Sequence, residues 1–325
     1  MRRVYIILVN WNGWQDTLAC LESLVLLNYP DFRIVVCDNG STNDSSLQIR
    51  QWMRNRPERF AEYSRSIGEH GGDRGEDVPL VLINTENNLG FAGGSNVGMR
   101  YAMARGDGGY YWLLNNDTVT EPDALSHLVT RMQEDQSIGI CGSTLRLYGN
   151  QVRVQALGGG HYCRWIGLPW HYGRFNRWPG TIPWQPAESR MNYVEGASML
   201  VSRQFIEQVG LLCEDYFLYF EEIDWVLRAG NRFRLGYAPG SIVYHKIGAS
   251  IGTNSNPANK SELCDYYNIR NRILFTRRHY PAALPTVYLV LLAELLLRLL
   301  VGKPTRAAMI LQLMLRGGAD LVRRP

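Results

Sequence analysis

Six cysteines occur, Cys20, Cys37, Cys141, Cys163, Cys213 and Cys264, and no two are two or three residues apart. The chain therefore lacks the pairs that zinc-binding and dithiol redox motifs require. Cys37 and Cys141 lie inside apolar runs and read as small buried hydrophobes, the usage of a reducing, cytoplasmic compartment. A secretory leader is not expected either. After Met1-Arg2-Arg3 the apolar run Val4–Val9 lasts only six residues, and Asn10-Trp11-Asn12-Gly13 follows where a cleavage site needs small residues. A buried strand accounts for the run. The glycines never take the G-x-G-x-x-G spacing of a dinucleotide site, no P-loop lysine is present, and no internal repeat occurs. With 46% apolar and 20% charged residues over 325 positions, the chain can bury a large core. That excludes a disordered chain, a collagen-like chain and a small disulfide scaffold.

Strand and helix patterns alternate through the first half. Strands are expected at Val4–Val9, Phe32–Cys37, Leu80–Ile83 and Tyr110–Leu114. Helices are expected at Gln15–Leu27, Ser45–Met53, Val97–Ala104 and Asp123–Met132. This order implies an α/β fold, a mainly parallel central sheet with helices on both faces. Arg56–Val78 is rich in Gly, Glu, Asp and Arg and reads as a mobile surface insertion. Gly158–Pro186 carries Trp165, Trp170, Trp178 and Trp184 and is too aromatic for a solvated linker. It reads as a loop folding over a ligand, or as a satellite core. Asn192–Ser202 is β-like, Glu221–Ala229 helical, and Phe233–Tyr244 a pair of short strands. Helices follow at Leu263–Arg278, Pro285–Val301 and Thr305–Leu315.

Ligands of such sheets sit beyond the carboxyl ends of the strands. There the sequence places four polar or glycine-rich loops: Asn10–Gly13, Asp38–Ser41, Asn87–Asn96 and Asn115–Thr118. Together they make a cleft able to hold a nucleotide. Asp117 ends an apolar strand. It reads as a ligand for a hard cation shared with a diphosphate, or as a cap for the following helix. In Tyr219-Phe220-Glu221-Glu222-Ile223-Asp224-Trp225, three carboxylates fall within four residues at a helix start. Dipole complementarity and an Asp224–Arg228 pair explain one or two of them. A carboxylate beside apolar walls has a raised proton affinity and suits general-base work. His245 ends a strand and reads as a metal ligand, a phosphate contact or a structural histidine.

These segments, with Glu195-Gly196-Ala197-Ser198-Met199-Leu200, resemble a family 2 glycosyltransferase of the GT-A fold. The resemblance runs in the family's order over roughly residues 3–280, and within the family it is nearest to bacterial rhamnosyltransferases of cell-surface polysaccharide synthesis. It implies that Asp38 and Asn39 bind the nucleotide base. It also implies that Asn10 and Asn12, and Gly90, Phe91, Gly93 and Asn96, line base and ribose. Asn116 and Asp117 would meet the diphosphate. The donor would be a dTDP- or UDP-sugar. Asp117 matches the last acid of the family's D-x-D motif and, with His245, would hold Mg²⁺ or Mn²⁺. The first position of that motif is Asn115 here. Glu222 matches the catalytic base, with Glu in place of Asp; Asp224 and Arg228 would support its helix or touch the leaving group. The implied reaction is a single inverting displacement onto a hydroxyl of a glycan or lipid-linked acceptor.

The resemblance divides the chain into a catalytic domain over 1–280 and a helical tail over 281–325. The catalytic domain comprises a nucleotide-binding half (1–120) and an acceptor half (121–280). Residues 260–325 hold 11 basic against 4 acidic side chains, whereas 1–259 hold 23 against 26. The segment 285–301 is Leu-rich but contains Glu294 and Arg298, and its 17 residues are short for a span. A basic amphipathic hairpin lying on the cytoplasmic face of the inner membrane is expected, with a homodimer contact or a core-covering pair as alternatives. A degenerate transferase acting as a scaffold and a transferase using a UDP-hexose are the rival functions. An acidic body without a basic-aromatic strand pattern excludes nucleic acid as the expected partner.

Overall fold

The computed structural model describes residues 2–73, 75–180, 183–246 and 261–319. Arg323 and Arg324, counted above in the basic tail, lie outside the described residues. The chain opens as β1 (Arg3–Asn10), α1 (Trp14–Leu24), β2 (Phe32–Asp38), α2 (Ser45–Arg54), β3 (Phe60–Ser64), α3 (Arg65–Gly68), β4 (Leu80–Asn84), α4 (Gly90–Arg105) and β5 (Gly108–Asn115). Every interior position of β1 is apolar because both its faces are covered. Val4, Ile6 and Leu8 pack with Leu21, Leu24 and Ile49 on one side; Tyr5 and Ile7 pack with Val97 and Ala102 on the other.

The middle of the chain adds β6 (Thr118–Thr120), α5 (Ala124–Glu134), β7 (Ile138–Leu147), β8 (Asn150–Leu157), β9 (Gly159–Cys163), β10 (Leu168–His171), α6 (Gln185–Glu188), β11 (Tyr193–Val194), β12 (Ser198–Ser202) and α7 (Arg203–Val209). After these come α8 (Glu221–Ala229), β13 (Arg234–His245), α9 (Glu262–His279), α10 (Leu284–Leu300) and α11 (Pro304–Leu315). The sheet runs β10-β9-β8-β7-β12-β5-β1-β2-β4-β3. From β5 to β3 it is parallel, and β12 is inserted antiparallel between β5 and β7. The expected α/β architecture, a large and mostly parallel sheet with helices on both faces, is present.

Four local expectations change. Arg56–Val78 holds an edge strand rather than a mobile insertion: β3 pairs parallel with β4, Ala61 is buried, and Arg50 Nη2 meets Glu62 Oε1 at 2.5 Å. An edge strand needs only one buried row, so a polar composition does not forbid it. The helix expected from Val97 begins at Gly90, so the glycine-rich loop is its first two turns. Its glycines serve packing: a Cβ on Gly94 would lie 2.7 Å from Val9 Cγ1, and one on Gly98 2.5 Å from Ile7 Cγ2. The expected strand pair at 233–244 is one 12-residue strand, β13, bulged between Ala238 and Ile242. The aromatic stretch 158–186 contains the antiparallel pair β9–β10, which extends the sheet.

The tail packs on the body. Ile269 and Ile273 of α9, Val287 and Leu291 of α10, and Ile310 and Leu313 of α11 share one buried cluster. Pro281–Leu300 is long and apolar enough to cross a membrane, and most of it is exposed. Its two charged residues, Glu294 and Arg298, turn inward. Arg272 Nη1 reaches Glu294 Oε1 at 2.7 Å, and Arg298 Nη2 reaches Asp265 Oδ1 at 2.8 Å. Leu289, Leu292, Leu296, Leu299 and Leu300 face out. The outer face of α10 is thus apolar, where a basic amphipathic one was expected.

Candidate active site

The carboxyl ends of β1, β2 and β5 are joined by a chain of buried amides and hydroxyls. Asn116 Nδ2 donates to Thr17 Oγ1 (2.9 Å), Thr17 Oγ1 to Asn10 Oδ1 (2.8 Å), and Asn10 Nδ2 to Asp38 Oδ1 (2.7 Å). Ser41 Oγ donates to the same Asp38 oxygen at 2.6 Å. Buried polar groups are tolerated only when bonded in this way, and the chain fixes the Asp38 carboxylate at the strand end. Asn39 Nδ2 donates to Gly90 O (3.0 Å), and the Leu89 amide donates to Asn39 Oδ1 (3.1 Å). That ties the β2 loop to the start of α4.

These loops border a cavity of about 960 Å³. Asn39, Gly90, Phe91, Asn116 and Asp117 line it, as do Glu222 and His245. Asn10, Asn12, Asp38, Gly93 and Asn96, expected to touch nucleotide, are not among its lining residues. Asn10 orients Asp38. Asn12 Oδ1 accepts from the Thr42 amide (2.8 Å) and shapes the β2 loop. Gly93 gives room to Leu89, whose Cβ would be 2.6 Å from an added methyl group. Asn96 Nδ2 donates to Leu212 O (2.9 Å) and to Glu214 Oε1 (2.8 Å), strapping α4 to the segment before α8.

Across the cleft β13 brings His245 to Asp117: His245 Nε2 lies 3.1 Å from Asp117 Oδ1. His245 Nδ1 lies 2.9 Å from Gln155 Oε1, an amide oxygen that can only accept, so Nδ1 carries a proton. Two lone pairs facing each other at Nε2 and Oδ1 require a cation between them, a proton or a metal ion. Burial works against protonation of His245, but the Asp117 carboxylate outweighs it and the pKa is raised. The same donor set suits a divalent cation, with Gln155 fixing the ring as an outer partner. Among the described residues no group of three His, Cys, Asp or Glu side chains gathers around it. A cation here would need ligand oxygens to complete its shell. Asn115, at the first position of the expected motif, has its Nδ2 3.5 Å from His245 Nε2.

The facing wall is acidic. Glu221 and Glu222 open α8, and each leaves one carboxylate oxygen buried without a partner. Burial, then repulsion from Glu195, pushes Glu222 up to about 7. Burial, then Glu222, drives Glu221 well above the ordinary carboxylate range. Sequence reasoning assigned no role to Glu195 or His171. Here His171 Nδ1 sits 2.7 Å from Glu195 Oε2, and both line the cavity. Burial opposes the charged forms of both, but mutual attraction wins: Glu195 is lowered and His171 raised. Nothing in the sequence predicts the pairing. It arises because β10 and β11 both register on β9, where His171 and Tyr193 both oppose Gly160.

Asp224 and Arg228 stand apart from the cavity lining. Asp224 Oδ1 accepts from His279 Nε2 (2.7 Å) and Tyr216 OH (3.1 Å), while Oδ2 accepts from Arg228 Nε (2.7 Å). Arg228 donates onward to Val209 O and Leu211 O. Burial opposes ionisation of Asp224, yet these donors hold its pKa below the usual range. Of the two expected roles, support of the helix is the one this geometry gives. The approach to α8 is unusual: Phe217, Tyr219 and Phe220 all have positive φ. Asn271 of α9 holds it, donating from Nδ2 to Tyr216 O (2.8 Å) and Leu218 O (2.7 Å). Phe217 stacks on Tyr267 with ring centroids 4.7 Å apart.

Residues 5–196 match the family model described as glycosyl transferase family 2. The chain is 25% identical over 228 residues to the low-salt glycan biosynthesis hexosyltransferase Agl10 of Haloferax volcanii, covering 69% of this chain and 60% of that protein. It is 27% identical over 257 residues to the N-acetylglucosaminyl-diphospho-decaprenol L-rhamnosyltransferase of Mycobacterium tuberculosis, covering 71% and 72%. Among solved structures it resembles the mannosyltransferase PcManGT of Pyrobaculum calidifontis in complex with GDP-Man and Mn²⁺ (TM-score 0.58, 16% identity, 99% of this chain and 89% of that one). It also resembles GalNAc-T7 with UDP, GalNAc and Mn²⁺ (TM-score 0.55, 15% identity, 84% and 51%). At these identities the structural likeness speaks for the fold.

Proposed function

Because the chain belongs to glycosyl transferase family 2, we propose that it is an inverting glycosyltransferase. It moves one sugar from a dTDP- or UDP-sugar to a hydroxyl of a lipid-linked glycan. The names of the two relatives support a hexosyl donor, and that of the mycobacterial protein supports a deoxyhexose such as L-rhamnose and a diphospho-polyprenol acceptor. One observation carries the reading. A carboxylate with a pKa near 7, Glu222, lines the same cavity as the Asp117–His245 pair.

Asn39, at the carboxyl end of β2, meets the nucleoside, and Asp38 behind it anchors the loop through Asn10 and Ser41. A divalent cation, Mg²⁺ or Mn²⁺, would be held by Asp117 and His245 together with the donor's diphosphate oxygens, and would neutralise charge on the departing nucleoside diphosphate. Glu222 takes the proton of the acceptor hydroxyl as that oxygen attacks the anomeric carbon. A base poised near the working pH combines an adequate ionised fraction with useful driving force. The Glu195–His171 pair sets the field in which Glu222 ionises. Peripheral attachment to the cytoplasmic face of a membrane through the exposed leucines of α10 belongs to the same proposal, with a second copy of the chain as the alternative occupant.

Glu222→Gln is the direct test. Transfer should fall by about 10²- to 10⁴-fold. A thermal-shift screen with dTDP, UDP and GDP, with and without Mn²⁺, should show nucleotide binding unchanged in the variant. Parent-like turnover in Glu222→Gln would overturn the assignment of the base. A stabilisation by GDP alone would overturn that of the donor class.

A further inference from the structure

At the end of the cavity away from the acidic wall, one amide is only half used by the protein. Asn88, in the loop between β4 and α4, is half-buried and lines the cavity with Val9, Trp11, Asn39 and Phe91. We propose that Asn88 reads the nucleobase, its Nδ2 donating to the O4 carbonyl oxygen of uracil or thymine. The proposal rests on the reading that the donor is a dTDP- or UDP-sugar, and it names the group that separates those bases from cytosine.

The orientation of the amide is the first support. The Gly90 backbone N–H donates to Asn88 Oδ1 at 2.9 Å, and a backbone N–H can only donate. That contact identifies which atom of the amide is the oxygen. Asn39 is fixed in the same manner, because the Leu89 amide donates to its Oδ1 at 3.1 Å. Asn39 Nδ2 then donates to Asn88 Oδ1 at 3.2 Å and to Gly90 O at 3.0 Å. The Asn39 amide is thus spent inside the protein. What remains is Asn88 Nδ2, a donor held in place by two bonds to its own oxygen and without an acceptor among the described residues.

The second support is distance across the sheet. Asp117 follows β5 and Asn88 follows β4, and the order β5-β1-β2-β4 puts three inter-strand steps between them. At about 4.8 Å a step, the two strand ends stand about 14 Å apart. A nucleoside diphosphate whose phosphates meet the Asp117–His245 pair, and whose ribose crosses β1 and β2, brings the far edge of its base to Asn88. In a pyrimidine, O2 adjoins the ring nitrogen that carries the ribose, whereas O4 lies across the ring from it. The outermost donor therefore meets O4.

The consequence is selectivity. Cytosine carries an amino group where uracil and thymine carry O4. Two donors would then face each other and neither would be satisfied. A site built to bond one group rejects the analogue that lacks it, because its own polar atom is left unpaired.

Isothermal titration calorimetry on the full-length protein with Mn²⁺ compares UDP with CDP. The parent should favour UDP by about tenfold or more. Asn88→Asp keeps the oxygen that Gly90 and Asn39 bond and replaces only Nδ2, so its melting temperature should stay that of the parent. In that variant the ratio of UDP to CDP affinity should fall by about tenfold or more. Any effect of the added negative charge on the diphosphate acts on both ligands and cancels in the ratio. Two analogues test the same contact on the parent protein, without a substitution. 4-Thio-UDP, whose sulfur is a poor acceptor, should bind more weakly than UDP, and 2-thio-UDP as tightly as UDP. Equal affinity of the parent for UDP and CDP, an unchanged ratio in Asn88→Asp, or full affinity for 4-thio-UDP would each overturn the assignment. Weakening by 2-thio-UDP alone would put the contact at O2 and overturn the reading of O4. Failure of the donor reading shows differently, as no binding of UDP or dTDP by the parent, and removes the role of Asn88 with it.

Discussion

In the proposed reaction Glu222 is the base, and its proton affinity is set first by burial and then by two neighbours of opposite sign. Glu195 raises its proton affinity and His171 lowers it. In the parent protein the acid limb of kcat/KM against pH should have its midpoint near 7, the rate rising as Glu222 ionises. Glu195→Gln removes a negative neighbour and should move that midpoint to lower pH. His171→Ala removes a positive one and should move it higher. Shifts in the same direction for both variants would show that the pair acts through structure alone. Asp117, Glu222 and His245 were legible in the sequence because each is a polar residue delivered by an apolar strand or at a helix start. Glu195 and His171 were not. They lie 24 positions apart, and only the registration of two short strands on β9 brings their side chains to 2.7 Å. Asp224 was legible in both senses, and the i,i+4 pair with Arg228 describes its place.

Elements with two apolar faces or a clear helical period were read from the sequence within a few residues. Elements that depend on backbone pairing were not. β3 is the example: its composition is polar, and what makes it a strand is a run of bonds to β4. The first turns of α4 are another. Gly90–Gly94 looks like a loop because glycine disfavours helices, yet the helix needs small residues to lie close to β1. Gly98→Ala tests that account. A methyl group there would stand 2.5 Å from Ile7 Cγ2 in a packed core, so the variant should lose about 1–3 kcal/mol. The urea midpoint should fall with the slope unchanged. A gain in stability, as expected from helix propensity alone, would count against the packing role.

At the scale of the whole molecule, the division into an acidic body and a basic tail is visible in the sequence, but the use of that charge is not. Arg298 and Arg306 turn toward Asp265 and the cavity, and leucines face outward. Leu296→Glu with Leu300→Glu should therefore abolish flotation with liposomes while leaving the fold and nucleotide binding intact. Retained flotation would remove the membrane contact, and a change from dimer to monomer would assign the face to a second copy. Removing the tail is a poorer test, because α9, α10 and α11 share one core. That shared core has a further consequence through Asn271. Three residues within four positions have positive φ, Phe217, Tyr219 and Phe220, and each costs on the order of 1–3 kcal/mol. α9 holds them in place, so the entry to α8 is a drawn spring with its latch on another helix. Loosening of α9 on warming should therefore free the entry to α8 first, so that transfer activity is lost at a lower temperature than the circular-dichroism signal of the sheet; coincident loss of both would count against the latch.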